Sequence, residues 1–437
     1  MSDVELVVPP STLRWIAEAP TDRPVVVLIR HSARPPLPVD DTGFTVPLTD
    51  VGVRLAEQLG GALRDRLVGL HASPLVRCVQ TAEALARGSG RPLPITPDRM
   101  LGDPGAFVLD GRHAWEVWKE RGHEAVMTHF CTAHDAMPGM ARPAYAARSL
   151  VHHMLAACGS TPGVHAFVTH DSLVTATAAR ILDEPLTRED WPWYLEAALF
   201  WPSERGLEAR YRDRSGAVRT PLAALDEDHV IELARREVGR TVGLTCPARF
   251  FVAGGAFKTL LHGRPPRDLD LWAPSAEDRA VLIETLLARG ARKLDRGVFS
   301  DTFEIRERVV DIPDKVEPST LEERLGRFDL ALSAIGAEHI AGDRWRARIH
   351  PLAVTAAATR QVLLLKPLVN WRHALTTLVR ARRYARELCF ELPHNEEAEV
   401  WRVFDAQEPE MQHGMIERLE RSAGDAEGVL EQAHRRP

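Results

Sequence analysis

The sequence is poor in the features that would place a chain in a membrane, outside a cell or around zinc. Its five cysteines, Cys78, Cys131, Cys158, Cys246 and Cys389, are odd in number and widely spaced, with no CxxC pair. That excludes a disulfide framework and a zinc-ribbon arrangement. No apolar run reaches the roughly 18 residues that a membrane span needs. The opening MSDVELVVPPSTLRW carries acids where a secretory leader needs basic residues, so the expected setting is cytoplasmic, without a membrane partner. Basic charge is not in excess either. A net charge of −6 excludes a uniformly basic nucleic-acid binder and leaves room only for a local basic face. There is no internal repeat and no long low-complexity segment. What remains is ordinary globular material, 45% hydrophobic and 27% charged over 437 residues, enough for two or three domains.

The first part alternates strand-like and helix-like segments. RPVVVLIRH reads as a buried parallel strand, and LTDVGVRLAEQLGGALRDRL as a helix capped by Thr49 or Asp50. VGLHAS reads as a second strand. PLVRCVQTAEALARG reads as a helix with Pro in its first turn and Gly at its end, and VHAFVTHD as a third strand. LFWPSERGLEARYRDRSG suggests an edge hairpin. This order predicts an α/β sandwich over 1–220, with function at the strand ends. A helix, DHVIELARREVGRTVG, leads into the strand FFVAGG of a second α/β unit over 221–350, and 351–437 reads as helical.

Three strand ends of the first part carry reactive groups. IRHSARP places Arg30, His31 and Arg34 after the first strand; SPLVRC places Arg77 in a first helical turn; FVTHDSL ends a strand in His170 and Asp171. Neutral imidazole is a nucleophile near pH 7, and guanidinium groups clamp phosphate through paired hydrogen bonds. Together these segments, over roughly residues 23–200, resemble the histidine phosphatase superfamily. The resemblance implies His31 as the residue that becomes phosphohistidine, and Arg30, Arg34, Arg77 and His170 as the phosphate pocket, with no metal needed. It also implies a proton donor: Asp171, as in the acid phosphatase branch, or Asp103 of MLGDPGAFV, as in the mutase branch. Trp191 and Trp193 read as packing residues, and His152 and His153 as structural or solvent-facing ones.

A second chemistry lies in VAGGAFKTLLHGRPPRDLDLW. In a strand, Asp268 and Asp270 point to one side, about 7 Å apart along the chain. Carboxylates on one face suit Mg²⁺, and RERVVDIPD offers Asp311 as a third. Gly254 and Gly255 precede a predicted helix whose N-terminus favours a triphosphate. This order resembles the nucleotidyltransferase superfamily, and more closely the head domain of CCA-adding enzymes and bacterial poly(A) polymerases. RFDLALSAIG, with Arg327 and Asp329, and the helix TTLVRARRYARELCFELP extend the likeness. It implies nucleotide contacts from Gly254, Gly255, Lys258, Arg267 and Arg327, with Mg²⁺ on Asp268, Asp270 and Asp311. The neck helix carries an apolar stripe, Leu378, Ala381, Ala385 and Leu388. Arg380, Arg382, Arg383 and Arg386 lie opposite, where they would meet RNA phosphates. Five positions depart from the family pattern: Lys258–Thr259 stands where it shows Arg-Asp, Phe328 replaces an Arg, and Ala331 and Ser333 replace Thr and Asn.

The expected protein is therefore bifunctional: a phosphomonoesterase joined to an Mg²⁺-dependent nucleotidyltransferase that uses a nucleoside triphosphate and an RNA or tRNA acceptor. The competing expectation is a phosphatase of small molecules or phosphoproteins, with a non-catalytic nucleotide- or RNA-binding domain. Oligomeric state is not legible from the residues.

Overall fold

Val25 to Ile29 are five consecutive apolar residues, each at most 1% exposed, at the centre of the first sheet. Burial on both faces explains why the run lacks polar alternation, and each such side chain contributes about 1.5–3 kcal/mol. In a computed structural model, residues 6–37, 43–102, 104–294, 299–421 and 426–436 are described. The chain divides into two units, Met1–Ala223 and Ala224–Pro437.

In the first unit the strands are β1 (Pro24–Arg30), β2 (Leu67–Ala72), β3 (Ile95–Pro97), β4 (Gly163–Thr169), β5 (Ala197–Ser203), β6 (Gly206–Tyr211) and β7 (Arg214–Val218). They form one sheet in the order β3-β2-β4-β1-β5-β6-β7. The first four run parallel and the last three antiparallel. The expected hairpin is thus a three-strand meander, and β5 is an interior strand because it pairs with β1. The parallel register sets Arg30 opposite Thr169, so β1 and β4 end side by side.

The helix Asp50–Leu63 is capped by Thr49, whose side chain accepts from the Gly52 amide. A Cβ at Gly52 would stand 2.2 Å from the Ala33 carbonyl oxygen. Only glycine lets this helix lie so close to the loop after β1. The helix Val76–Ser89 starts later than expected: Leu75 is its cap, Pro74 lies outside, and it runs through Gly88 to end on left-handed Gly90. All five cysteines are free, four of them buried. Among the described residues no helix is long and apolar enough to cross a membrane.

The second unit holds β8 (Phe250–Ala253), β9 (Asp268–Trp272), β10 (Arg292–Leu294), β11 (Ser300–Ile305), β12 (Arg308–Pro313), β13 (Ile335–Ala341) and β14 (Arg344–Ile349), in the order β10-β11-β12-β9-β8-β13-β14. Only the β9–β12 pairing is parallel. Arg308 at the start of β12 pairs with buried Glu237 at 2.8 Å and donates to the Pro266 carbonyl before β9. One buried guanidinium thus sets the two parallel strands against each other. AFKTLLHG corrects the expectation of a regular helix: Gly255–Lys258 is a 3₁₀ turn and Thr259–His262 a single α turn. Four helices, Ala374–Leu388, His394–Asp405, Pro409–Arg421 and Glu427–His434, pack around Leu378, Ala381, Leu388, Trp401 and Phe404.

Candidate active sites

In the second unit the register of β9 and β12 sets Asp270 opposite Asp311, with Asp268 two residues back on the same face. The alternation is visible in burial, since Leu269 and Leu271 are fully buried while Asp268 and Asp270 are half-buried. Burial, Asp268 and Asp311 together push the Asp270 carboxyl up to about 7. A divalent cation between these groups would reverse that shift, so the donor set has the right chemistry for Mg²⁺. Its present geometry is not convergent. Asp268 faces Arg267 at 3.0 Å, and Asp311 accepts from Thr302 Oγ1 at 2.5 Å. Among the described residues no three His, Cys, Asp or Glu groups are placed to hold an ion.

The glycine pair makes room for side chains. Gly254 has φ 117°, and a Cβ there would lie 2.9 Å from Asp270 Oδ2; one at Gly255 would lie 2.5 Å from Tyr384 Oη. The Gly254 amide is spent on the Ile335 carbonyl. Gly255, Lys258, Arg267 and Asp268 line a cavity of about 180 Å³ with Arg383, Tyr384 and Glu387. That volume suits a phosphate group better than a whole nucleotide. Lys258 lies over the Tyr384 ring at 3.7 Å and is ion-paired with Glu387. Arg327 is exposed. Asp329 is a buried hub that accepts from Thr377 (2.7 Å) and Arg380 (3.0 Å). The neck arginines are largely committed within the unit: Arg380 to Asp329, Arg382 to Glu397 and Arg383 to Glu387. Arg386 alone of the four is exposed. The expected open basic face is therefore mostly an ion-paired one.

In the first unit the ends of β1, β2 and β4 bring together what their order promised. His31 is 2% exposed, and its Nδ1 lies 2.8 Å from the Ser32 carbonyl. A carbonyl can only accept, so Nδ1 carries the proton and the Nε2 lone pair is left for attack. Burial, His170, Arg30 and Arg77 hold its pKa well below the ordinary histidine value. His170 lies 5.7 Å away between ring centroids. Its Nδ1 accepts from Arg77 at 3.4 Å, so its Nε2–H faces Ser73 Oγ at 3.2 Å. Burial and Arg77 bring its pKa down to about 3. Arg30, His31, Arg34, Arg77 and His170 all line one cavity of about 730 Å³. The Nε–H groups of Arg30 and Arg34 are buried there and meet no acceptor among the described residues. A neutral imidazole lining one cavity with three guanidinium groups has the chemistry that phosphoryl transfer requires.

Residues 26–198 match the family model of the histidine phosphatase superfamily, branch 1. No curated protein matches the chain. Solved structures similar to it include a tRNA-processing enzyme complex (17% identity, TM-score 0.32, 43% of this chain and 52% of that one). A CCA-adding enzyme with ATP is similar at 15% identity and TM-score 0.32, over 42% of this chain and 46% of that one. The Thermotoga maritima CCA-adding enzyme complexed with tRNA is similar at 14% and 0.30, over 43% and 46%. The chain spans about half the length of these structures.

Within the first unit, Asp171 is a charged partner of Arg30. Burial raises its pKa, but Arg30, His123, His31 and His170 outweigh that and bring it to about 2. It is a carboxylate paired with Arg30 at 3.2 Å, which is not the state of a proton donor. Arg30 is held by this pair, by the Pro192 carbonyl (2.6 Å) and by the Tyr194 ring (4.4 Å). Asp171→Asn is expected to loosen Arg30 and raise KM for phosphate esters, with kcat changed less than about threefold. Loss of kcat confined to esters of basic alcohols would return Asp171 to the donor role. Asp103 lies outside the described residues. His153 is structural, bonded to Asp98 at 2.9 Å. Trp193 is 60% exposed, while Trp191 lines the cavity.

Sequence reasoning missed Trp115, Trp118 and His123, which also line it. The available signal was WEVW, two indoles three residues apart on one helical face, followed by Gly122. Gly122 has φ 77° and breaks the helix Gly111–Thr132 just before His123.

The pKa of His170 carries a sign. The unfolded chain protonates this histidine near 6.5 while the folded chain does not until about 3, so the unfolded state binds more protons between those values. Stability of the unit is expected to be full above pH 6.5 and to fall on acidification, with a limit of about 5 kcal/mol from this group. Urea midpoints from pH 7 to 4 measure it, and a wild-type slope in His170→Asn would remove the assignment.

Proposed function

We propose that the chain is a phosphomonoesterase that works through phosphohistidine on His31. The observation that carries this is that His31, whose Nε2 keeps its lone pair, lines one cavity with Arg30, Arg34 and Arg77. His31 Nε2 attacks phosphorus, the bond to the ester oxygen breaks, and the alkoxide takes a proton from solvent water. Water then attacks the phosphohistidine, releasing phosphate and restoring the imidazole. Arg30, Arg34 and Arg77 offset the charge on the phosphoryl oxygens throughout, which is the work a metal would otherwise do. Hydrolysis of para-nitrophenyl phosphate that persists in EDTA is the test; no hydrolysis at any pH from 5 to 8 would refute it.

We further propose that the second unit is a nucleotidyltransferase-like domain acting with the first on nucleotides or RNA ends. Bound Mg²⁺ would neutralise triphosphate and activate a hydroxyl nucleophile. Of the chain's own residues, Asp268, Asp270 and Asp311 would hold the ion, and Lys258 and Arg267 would meet phosphate. A terminal 2′- or 3′-phosphate on RNA blocks the hydroxyl that extension requires, and the first unit would remove it. The ion pairs of Arg267, Arg380, Arg382 and Arg383 favour the second reading, a nucleotide- or RNA-binding unit without turnover. Labelled nucleoside triphosphates offered with RNAs ending in 3′-hydroxyl or 3′-phosphate separate the two. Extension supports transfer, and binding without extension supports the alternative.

A further inference from the structure

The phosphate pocket is only one end of its cavity. Much of the remaining wall is aromatic, formed by Trp115, Trp118, Trp191, His123 and Phe44 among smaller aliphatic residues. These rings fix one another. Trp118 Nε1–H donates to His123 Nδ1 at 3.1 Å, Trp118 meets Phe130 edge-on at 5.9 Å, and His123 meets Trp191 edge-on at 5.3 Å. Phe44 is 51% exposed in the free protein, which costs free energy that a covering ligand would recover. Rigid flat faces next to a phosphate site select by stacking, because a planar group matches them over its whole area with little entropy left to lose. An aliphatic alcohol offers no such match. From this wall we infer that the preferred substrates are phosphomonoesters whose alcohol half carries an aromatic ring, a nucleobase or an aryl group, stacked among Trp115, Trp118 and Trp191.

This inference rests on the phosphatase reading, and the experiment keeps the two apart. Substrates are compared in pairs with like leaving alcohols: adenosine 5′-monophosphate against ribose 5-phosphate, and naphthylethyl phosphate against butyl phosphate. Leaving-group chemistry is then similar within a pair, and the ring is the main difference. The expected result is kcat/KM about tenfold or more higher for the aromatic member. A preference within the nucleotide pair alone identifies a base, and one within both pairs identifies aryl groups generally. Trp118→Ala is expected to bring the ratio close to one, while Trp118→Phe keeps most of it. Competitive inhibition by inorganic phosphate verifies that each variant retains its folded pocket. Equal kcat/KM within both pairs, or an undiminished ratio in Trp118→Ala, overturns the inference and leaves the phosphatase standing. No hydrolysis of any ester, para-nitrophenyl phosphate included, overturns the phosphatase reading itself.

Discussion

His31→Ala is expected to lower phosphomonoesterase turnover by at least about 10³-fold, because no other described side chain offers a lone pair from that position. The imidazole is both nucleophile and leaving group, so removing it ends the two-step route instead of slowing one step. Wild-type protein quenched during turnover of a radiolabelled ester should carry phosphate that is labile in acid and stable in base, the signature of a phosphorus–nitrogen bond. The alanine variant should carry none. His31→Gln would fill the space without the nucleophile and should be as inactive, which separates chemistry from packing. Turnover near the wild-type rate in either variant would remove phosphohistidine from the account.

Asp270→Asn should have the largest effect in the second unit, and in two opposite directions. Nucleotide addition, where it occurs, should fall below detection, because Asp270 stands between Asp268 and Asp311 and would share a bound ion with both. Stability should rise. The unfolded chain ionises this carboxyl near 3.8 and the folded chain only near 7, so the native state binds more protons between those values. Stability is then lost as pH rises through that window, by as much as about 4 kcal/mol. Asparagine has no proton to lose and avoids the penalty. The variant should therefore melt higher than wild type at pH 8 and much like it at pH 4. Mg²⁺ should raise the wild-type melting temperature at pH 8 and leave the variant's nearly unchanged. A wild-type melting temperature insensitive to Mg²⁺ would favour the binding-only reading.

The two units differed in how much of their chemistry could be read in advance. In the first, reactive residues fall directly after parallel strands, and consecutive parallel strands deliver their C-terminal ends to one edge. His31, Arg77 and His170 could therefore be grouped from their place in the order of elements. Asp171 could not be judged that way, since its charge state depends on Arg30 and His123, 141 and 48 residues distant. In the second unit the pairing of Asp270 with Asp311 was expected from strand alternation and a neighbouring strand, and the parallel β9–β12 register supplies it. The neck helix shows the opposite case. Its apolar stripe marks the buried side correctly at Leu378, Ala381 and Leu388, yet three of the four arginines opposite are taken up by Glu387, Glu397 and Asp329. A helical wheel gives direction without partners.

By itself, then, the sequence determined the α/β order, the strand-end placement of His31, Arg77 and His170 and the facing of the two aspartates. These follow from backbone periodicity and from the topology of parallel strands, which are local or nearly so. Only the tertiary structure decided which nitrogen of His31 is free, that Asp171 is ion-paired, that three indoles wall the cavity and that the neck arginines are engaged. Each of those is set by a hydrogen bond, an ion pair or a ring contact between side chains brought together by the fold, and a proton or charge settles only where its neighbours have arrived.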